Sequence, residues 1–395
     1  MKHRVFIAAT LCAAALGGVH AQPARPAPSP RAEIVWTRPI CANPDRYIGW
    51  PSVARLQNGD LIAVFSGDRE GHICPYGKVQ MVRSSDQGET WTPPQTIANG
   101  PIDDRDAGIV QLPDGKIVVT YFTSLAYRDQ LRGKTFPRTD SRYWWQRHDE
   151  KIPPEACDAA LGFHRLESTD NGKTWSKPEK MKVSHAPHGP AVLNDGSLLM
   201  LGRSFSNSQL GAGEAGRTII SAWRSTDAGR SWTCLCLELA DVNGENARPH
   251  MFHEPHVAQL ADGTIVGLLR YHGADGCMRQ TVSRDGGRTW TPMTKTPMLG
   301  LPPHLLVLPD GKLVNVYGRR LREPTGYGEY ACISDDGGRT WDVAHEICLS
   351  TSADNDLGYP ASCQLTDGSI LTVYYQRPKP GARQALMATK WKILK

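Results

Sequence analysis

The chain has 395 residues, is 40% hydrophobic and carries a formal net charge of +5. Loss of Lys2 and Arg4 with a predicted export signal would leave a net charge of +3 (5 − 2), which is too mild to indicate a nucleic-acid partner. No later stretch approaches about 18 consecutive apolar residues, so no membrane span is predicted.

The N-terminus has the pattern of a secretory signal. Lys2 and Arg4 precede an apolar run over residues 5–16, and small residues follow up to Ala21. Residues 22–32 are rich in proline, which favours a spacer. We therefore predict a signal peptide over residues 1–21 and a secreted or periplasmic mature protein.

An octet of the form Ser-x-Asp-x-Gly-x-Thr/Ser-Trp occurs five times. The copies are SSDQGETW (84–91), STDNGKTW (168–175), STDAGRSW (225–232), SRDGGRTW (283–290) and SDDGGRTW (334–341). A catalytic centre would occur once, whereas a folding device can be needed in every repeat. The aspartate can accept hydrogen bonds from turn backbone, the glycine permits a tight bend, and the tryptophan can pack between sheets. We therefore predict that the octets are structural turns between the outer strands of a repeat.

A second repeat, two short apolar runs joined by an Asn-Gly or Asp-Gly turn, lies between the octets. Its six copies begin at Pro51, Asp106, Gly189, Glu254, Pro302 and Tyr359. Such turns accept the positive φ angles of β-hairpins, and a further strand ending in an octet follows each of the first five. Six four-stranded units predict an all-β fold, a six-bladed β-propeller over residues 33–395. Residues 126–160 are expected to form an insertion over one face, and AEIVWTRPI, from Ala32, to complete the last unit.

The octets are identified as the Asp-boxes of the sialidase (neuraminidase) superfamily, and the chain resembles exo-sialidases over essentially all of its mature length. The resemblance implies that residues entering the first strand and leaving the second strand of each unit meet around the axis. The entering positions hold Trp50, Arg105, Asp106, His188, Glu254, His256, His304 and Tyr359. The leaving positions hold Asp68, Arg69, Arg203, Arg270, Arg319, Arg320 and Arg377. So many basic side chains suit an anionic ligand such as a sugar carboxylate or sulfate.

Sialidases use a tyrosine nucleophile paired with a glutamate, an aspartic acid/base, and three arginines on the substrate carboxylate. By resemblance, LGYPASCQLTDGSI implies that Tyr359 is the nucleophile. The segment HEPHVAQLADGTIVGLLR implies Glu254 as its partner and Arg270 as a carboxylate ligand. The segments GDREG and DDRDAGIV imply substrate-binding roles for Arg69 and Asp106. A phenol is a weak nucleophile at its unperturbed pKa near 10, so it needs an adjacent base.

The sequence departs from the sialidase pattern in the arginine triad. Trp50 or Gly49 stands where the first arginine is expected, and Tyr375 where its supporting glutamate is expected. Tyr327 or Gly328 stands where the third arginine is expected. The candidates to replace the missing cations are Arg105, Arg203, Arg319 and Arg320.

The acid/base and the histidines are less defined. The segment GDREGHICPYGK offers Asp68, Glu70 and His72 as acid/base candidates. Four histidines fall at or near the expected pocket: His188, His256, His272 and His304. They suit acid/base catalysis, binding of sugar hydroxyls, or a metal. No pair has helical His-x-x-x-His spacing, which argues against a metal, and binding of sugar hydroxyls is favoured. We predict no metal and no other cofactor.

The leading hypothesis is a monomeric, exported, exo-acting glycoside hydrolase that removes a terminal acidic sugar from a glycan, with sialic acid as the family default. Tyr359 assisted by Glu254 would attack the sugar, and Asp68 or His72 would protonate the leaving group. One alternative is a polysaccharide lyase on uronic-acid glycans that uses Tyr359, His188 and Arg270. The other is a glycan-binding propeller without catalysis.

Overall fold

The computed structural model of the protein describes residues 31–133, 135–203, 219–239, 251–321 and 326–394. The predicted signal peptide and most of the predicted spacer therefore lie outside the described residues. Within these ranges, no helix has both the length and the apolar character needed to cross a membrane.

Six antiparallel sheets of four strands follow one another along the chain and form the predicted six-bladed β-propeller. The strands of blades 1 to 3 are β2 (Tyr47–Arg55), β3 (Leu61–Arg69), β4 (Lys78–Ser84), β5 (Gln95–Ala98), β6 (Asp103–Gln111), β7 (Ile117–Ser124), β8 (Phe163–Ser168), β9 (Glu179–Met181), β10 (Ala191–Val192), β11 (Leu198–Arg203), β12 (Ile220–Ser225) and β13 (Thr233–Cys236). The first strands of neighbouring blades contact one another around the axis, which closes the ring.

The second half of the ring has the same plan. The strands of blades 4 to 6 are β14 (Phe252–Gln259), β15 (Ile265–Tyr271), β16 (Cys277–Ser283), β17 (Thr294–Leu299), β18 (Leu301–Val307), β19 (Leu313–Arg319), β20 (Gly328–Ser334), β21 (Ile347–Thr351), β22 (Gly358–Gln364), β23 (Ile370–Gln376) and β24 (Ala385–Ile393), with β1 (Ala32–Cys41) as the fourth strand of blade 6. A short 3-10 helix, Val343–His345, precedes β21.

The hairpin that opens each blade depends on its glycine. In blade 1 the Gly59 amide donates to the Leu56 carbonyl oxygen at 2.9 Å, and the Leu56 amide donates to the Asp60 carbonyl oxygen at 2.7 Å. Gly59 has φ +91°, a left-handed conformation that glycine adopts without steric cost. The equivalent glycine in the other five blades has φ between +79° and +85°. The same turn therefore sets the register of the first two strands in every blade.

The ring is closed by the N-terminal strand, as predicted. β1 pairs antiparallel with β24, from Ala32 opposite Ile393 to Cys41 opposite Leu386. The outer edge of β24, which would otherwise be a free template for pairing with other chains, is covered.

All five octets form the same turn between the third and fourth strands of blades 1 to 5. In the first octet the Ser84 hydroxyl donates to the Asp86 carboxylate at 2.7 Å and accepts the Gly88 amide at 2.9 Å. Asp86 also accepts the Thr90 amide at 2.9 Å, and the Trp91 indole donates to the Gly88 carbonyl oxygen at 3.0 Å. The octets are therefore turns stabilised by their own polar side chains.

The octet tryptophans join adjacent blades. Trp91 packs on residues of blades 1 and 6, and Trp175 packs on residues of blades 1 and 2. Trp232, Trp290 and Trp341 repeat this arrangement at the next three interfaces. The octets thus serve the packing of the ring, as their repetition predicts.

The insertion between β7 and β8 forms three short helices. They are α1 (Ala126–Leu131), α2 (Ser141–Asp149) and α3 (Pro154–Ala160). Tyr127, Trp145 and Cys157 from these helices share a small core with Cys74, which lies in the loop after β3. That loop also carries His72, so the insertion supports the backbone on which His72 is mounted.

Candidate active site

Five first strands carry a register shift at the same position, and β18 is the one of the five that has no residue other than glycine with a positive φ. The register of the other four, β2, β6, β14 and β22, against the following strand also shifts there. At each of these four shifts a residue other than glycine has a positive φ: Trp50 (52°), Asp106 (48°), Glu254 (44°) and Tyr359 (52°). Bulges re-aim side chains, and a left-handed residue of this kind costs on the order of 1–3 kcal/mol and is concentrated at functional sites. The bulges therefore mark this end of the axis as the candidate site.

Three of these four residues line one pocket. Its volume is about 250 Å³, below the roughly 300–1,000 Å³ typical of pockets for drug-sized ligands, so it suits about one sugar ring. Its walls hold four arginines, three histidines and two carboxylates, together with Phe122 and Tyr359. The arginines are Arg105, Arg203, Arg270 and Arg320.

Tyr359 and Glu254 form a hydrogen-bonded pair in this pocket. The Tyr359 hydroxyl donates to Glu254 Oε1, and Arg270 Nη1 donates to Glu254 Oε2 at 2.7 Å. Burial alone would raise the pKa of Glu254, but the Arg270 guanidinium and the Tyr359 hydroxyl outweigh it and lower that pKa to about 2. Burial and the Glu254 and Asp106 carboxylates hold the pKa of Tyr359 well above its usual value. The resting pair is therefore a neutral phenol beside an ionised proton acceptor.

Asp106 is the second pocket carboxylate, and it is poised near neutrality. Burial raises its pKa to about 7, with Arg105 opposing the shift and Glu254 adding to it. A buried carboxyl with a pKa this far from its usual value is a mark of a functional site.

Arg105 is mounted on an aromatic surface. Its guanidinium carbon lies 4.1 Å from the ring centroid of Trp50, and Nη1 donates to the His72 carbonyl oxygen at 3.3 Å. Stacking on an indole stabilises a guanidinium and fixes its plane. Trp50, which stands where the sialidase pattern leads us to expect an arginine, is thus the residue on which Arg105 stacks.

Arg320 also lines the pocket. Its Nε donates to the Leu357 carbonyl oxygen at 2.9 Å, and Nη2 donates to the Tyr375 hydroxyl at 3.1 Å. Its guanidinium carbon is 5.7 Å from the Tyr359 ring centroid. Four guanidinium groups face two carboxylates in this pocket, so its charge favours an anionic ligand.

His72 lies at the rim with 46% of its side chain exposed. Its Nδ1 is 3.1 Å from the Tyr47 hydroxyl and 3.3 Å from Asp356 Oδ1, and its ring meets Trp50 edge-on at 4.9 Å between centroids. The His72 carbonyl oxygen accepts Nη2–H of Arg69 at 3.1 Å. Both the ring and the backbone of His72 are therefore held in place.

The BNR repeat-like domain family matches residues 155–372, more than half of the chain. The chain belongs to this family, within the sialidase superfamily. Two curated relatives are named sialidase. The protein of Bacteroides fragilis (strain YCH46) is 25% identical over 82% of this chain and 59% of its own length. That of Micromonospora viridifaciens is 22% identical over 86% of this chain and 51% of its own length. The chain thus spans between half and three fifths of these relatives.

Solved structures share the fold of this BNR-repeat protein. A Dyadobacter fermentans protein of unknown function is 24% identical, with a TM-score of 0.71 over 92% of this chain and 100% of its own. The Hadza microbial sialidase Hz136 is 18% identical, with a TM-score of 0.60 over 88% of this chain and 66% of its own. An α-L-arabinanase of Penicillium chrysogenum, complexed with arabinobiose, is 15% identical, with a TM-score of 0.57 over 91% and 99%.

Arg319, predicted to bind substrate in this BNR-repeat protein, is not among the residues that line the pocket. Consecutive strand residues point to opposite faces. Arg319 turns away from the pocket, and its Nη2 lies 2.7 and 2.8 Å from the two carboxylate oxygens of Glu346. The neighbouring Arg320 is the pocket residue.

Arg69 also departs from its predicted contact with substrate, because its side chain is fully buried. Its Nη1 and Nη2 donate to the two Asp103 carboxylate oxygens at 2.5 and 2.9 Å. Its Nε donates to the Gly71 carbonyl oxygen at 3.3 Å. Arg69 therefore fixes the loop that carries His72 and does not reach the ligand space.

Only one of the three acid/base candidates faces the pocket. Asp68 lies outside it and accepts Lys78 Nζ at 2.5 Å. Glu70 points into the insertion, where it accepts the Ser141 hydroxyl at 2.7 Å and the Trp145 indole at 2.8 Å. His72 remains. Trp50, predicted to bind substrate, is 1% exposed and acts from behind Arg105.

The histidines predicted to bind sugar hydroxyls do not line the pocket. The His256 and His304 rings stack on each other, and His188 meets both of them edge-on. The centroid of the His304 ring lies 5.1 Å from that of His188 and 4.3 Å from that of His256. His256 Nδ1 accepts the Leu305 amide at 3.0 Å, which ties blade 4 to blade 5. Of the three residues named for the lyase hypothesis, Tyr359 and Arg270 line the pocket and His188 does not.

Besides His72, the histidines that line the wall are His185 and His253. Each stands three residues before a histidine that was predicted, in the segments HAPH and HEPH. This shared His-x-x-His spacing is the signal that could have identified them. Asp356 was missed as well, because it lies in a loop rather than at a strand end.

Proposed function

We propose that the protein is an exo-acting glycoside hydrolase that removes a terminal acidic sugar from a glycan. The observation that carries the proposal is the Tyr359–Glu254 hydrogen bond inside a pocket for one sugar ring with four arginines in its walls. Two relatives named sialidase support the hydrolase class. The N-terminal pattern supports action outside the cytoplasm.

In the proposed reaction Tyr359 is the nucleophile. A neutral phenol approaches an anionic sugar without the charge repulsion that a carboxylate nucleophile would meet, and tyrosine nucleophiles are the known exception to the two-carboxylate scheme. The Tyr359 oxygen bonds to the anomeric carbon as the bond from that carbon to the leaving oxygen breaks. The phenol proton passes to Glu254, which Arg270 keeps ionised.

His72 supplies the second proton transfer. As an imidazolium it donates a proton to the leaving oxygen, and as the resulting neutral imidazole it accepts a proton from water in the second step. The water oxygen bonds to the anomeric carbon as the bond from that carbon to the Tyr359 oxygen breaks. Glu254 then returns its proton to the Tyr359 phenolate, which restores the starting state of the enzyme.

The test is a panel of 4-methylumbelliferyl glycosides carrying N-acetylneuraminic, glucuronic or galacturonic acid or the corresponding neutral sugars. We expect fluorescence release from an acidic member and a loss of 10³-fold or more in Tyr359→Phe. Tyr374→Phe is the matched control, because Tyr374 is a buried tyrosine whose hydroxyl bonds to Thr389 at 2.8 Å, outside the pocket.

Release from neutral members alone would overturn the acidic specificity. An unsaturated, ultraviolet-absorbing uronate from a polyuronate would identify a lyase instead. Binding of acidic oligosaccharides by calorimetry, with no turnover of the panel or of sialyl-lactose, would identify a binding protein and reject the hydrolase.

A further inference from the structure

We propose that Asp356 is a positioning residue that makes His72 the acid/base group, so that this protein uses a His–Asp dyad in that role. The inference rests on the proposed function, since it assigns a partner to its acid. Among the described residues, Asp356 is the carboxylate within hydrogen-bonding reach of His72, with Oδ1 at 3.3 Å from Nδ1. Gln384 Nε2 donates to the other carboxylate oxygen at 2.8 Å and fixes its plane.

The hydrogen bonds around Asp356 determine which ring nitrogen of His72 carries the proton. The Tyr47 hydroxyl donates to Asp356 Oδ1 at 2.9 Å, and the Tyr375 hydroxyl donates to the same oxygen at 3.2 Å. Tyr47 has then used its single proton, so its oxygen can only accept from His72. An ionised carboxylate also only accepts. His72 Nδ1 must therefore carry a hydrogen, shared between Tyr47 and Asp356.

This tautomer leaves Nε2 as the reactive nitrogen. In the neutral ring Nε2 has the free lone pair of a base, and in the imidazolium it carries the proton of an acid. The proton leaves Nε2 for the glycosidic oxygen as the bond from that oxygen to the sugar breaks, and a water proton later restores Nε2–H. Asp356 stays ionised throughout and stabilises the imidazolium, as the aspartate does in a Ser-His-Asp triad.

The charges facing His72 oppose one another. Burial lowers the pKa of His72, Asp356 raises it, and the Arg105 and Arg69 guanidinium groups lower it, with a net lowering. Tyr47 and Tyr375 are neutral donors on the same carboxylate. Asp356 is therefore the group that favours the protonated form of His72 against the two neighbouring guanidinium groups.

The same carboxylate reaches the ligand-binding wall. Tyr375, whose proton goes to Asp356, accepts Nη2–H of Arg320 at 3.1 Å. Asp356 thus orients the acid through His72 and a pocket cation through Tyr375. This double contact explains why a tyrosine can stand at position 375, where the sialidase resemblance leads us to expect a glutamate.

The first test is independent of turnover. The protein is labelled with ¹⁵N-histidine, His72 is assigned by comparison with His72→Gln, and its ring nitrogens are followed by NMR from pH 8 to pH 5. We expect the Nδ1–H tautomer at high pH and a fall in the His72 pKa of about one unit or more in Asp356→Asn. Asp354→Asn removes the same charge two residues away, from a carboxylate paired with Arg377. Its amide oxygen can still accept the Asp356 backbone amide, so His72 should be unchanged. An Nε2–H tautomer, or an unchanged pKa in Asp356→Asn, would overturn the dyad.

The second test takes the sugar of whichever panel glycoside is cleaved and attaches it to phenols of differing acidity. Asp356→Asn should lower kcat about 10-fold or more and move the alkaline limb of the profile to lower pH. The loss should be smaller for substrates with acidic phenol leaving groups, which need less protonation. An equal loss for all leaving groups, with an unshifted limb, would reduce Asp356 to a structural residue. Absence of cleavage would reject the hydrolase, while the NMR result would still decide the dyad.

Discussion

Three pocket residues and Trp50 sit on backbone that L-residues rarely adopt. Their positive φ angles cost on the order of 1–3 kcal/mol each, and they occupy the same bulge in four blades. Glycine would remove the strain but also the side chain. The strain therefore persists because Asp106, Glu254 and Tyr359 are needed at these positions to form the pocket.

Arg69 is expected to act on stability rather than on ligand affinity. Arg69→Ala leaves the Asp103 carboxylate buried without its partner, which should lower the free energy of unfolding by about 3–5 kcal/mol. Urea denaturation followed by tryptophan fluorescence measures the change. Arg203→Ala, in the pocket wall, is the comparison and should cost far less. Near-native stability of Arg69→Ala combined with weakened ligand binding would restore the substrate-contact role.

The sequence located the pocket, and its errors lie where the direction of a side chain depends on backbone geometry that the sequence does not specify. Strand residues alternate between two faces, and a bulge shifts that alternation by one. Arg319 and Arg320 were both candidates, and of the two Arg320 lines the pocket. His188 and His256 were expected in the lining, which instead holds His185 and His253, three residues earlier in each segment. The bulge itself has no signature in the sequence, because its residues are tryptophan, aspartate, glutamate and tyrosine rather than glycine.

At the level of elements, prediction succeeded where the chemistry is local. The octets and the Gly-containing hairpins fold through contacts within about eight residues, so their sequences suffice. The insertion is different, because its core depends on Cys74 of the loop after β3, which is remote in sequence. Its three helices and its support of His72 could not be read from residues 126–160 alone.

The octet turns give a matched pair of substitutions. Gly286 has φ +74°, and an added Cβ would lie 3.5 Å from its nearest neighbour, so Gly286→Ala should cost about 1–2 kcal/mol from backbone strain alone. Gly287 has φ +91°, and an added Cβ would lie 2.8 Å from Leu199 Cδ1 in the core. Gly287→Ala should therefore cost more. The urea midpoints of the two variants measure this difference. Equal midpoints would show that Leu199 moves away from the added Cβ at no cost in stability.

At the scale of the whole molecule, four buried histidines near the propeller axis make the fold less stable in acid. Burial lowers the pKa of His185, His188 and His253 to about 3 and that of His256 to about 4. Below the ordinary value of 6.5 the unfolded chain binds protons that the folded chain excludes, so the free energy of unfolding should fall as pH drops from 6.5 towards 4. Each buried imidazole contributes up to about 2–3 kcal/mol to this loss.

Urea denaturation at pH 7, 6, 5 and 4.5 measures this dependence. His256→Gln removes one titrating ring while its amide oxygen can still accept the Leu305 amide, so the slope of stability against pH should become shallower. A variant slope equal to that of the wild type would exclude His256 as a source.

The joint that closes the ring has a mechanical consequence. Ala32 pairs with Ile393, so the outer ends of β1 and β24 emerge side by side from antiparallel strands. A force pulling those two ends apart meets one hydrogen-bonded pair at a time, beginning at the ends, and never loads the whole ladder together. Under tension β1 should separate from β24 in blade 6, one residue pair after another, while the five blades built from consecutive strands stay intact.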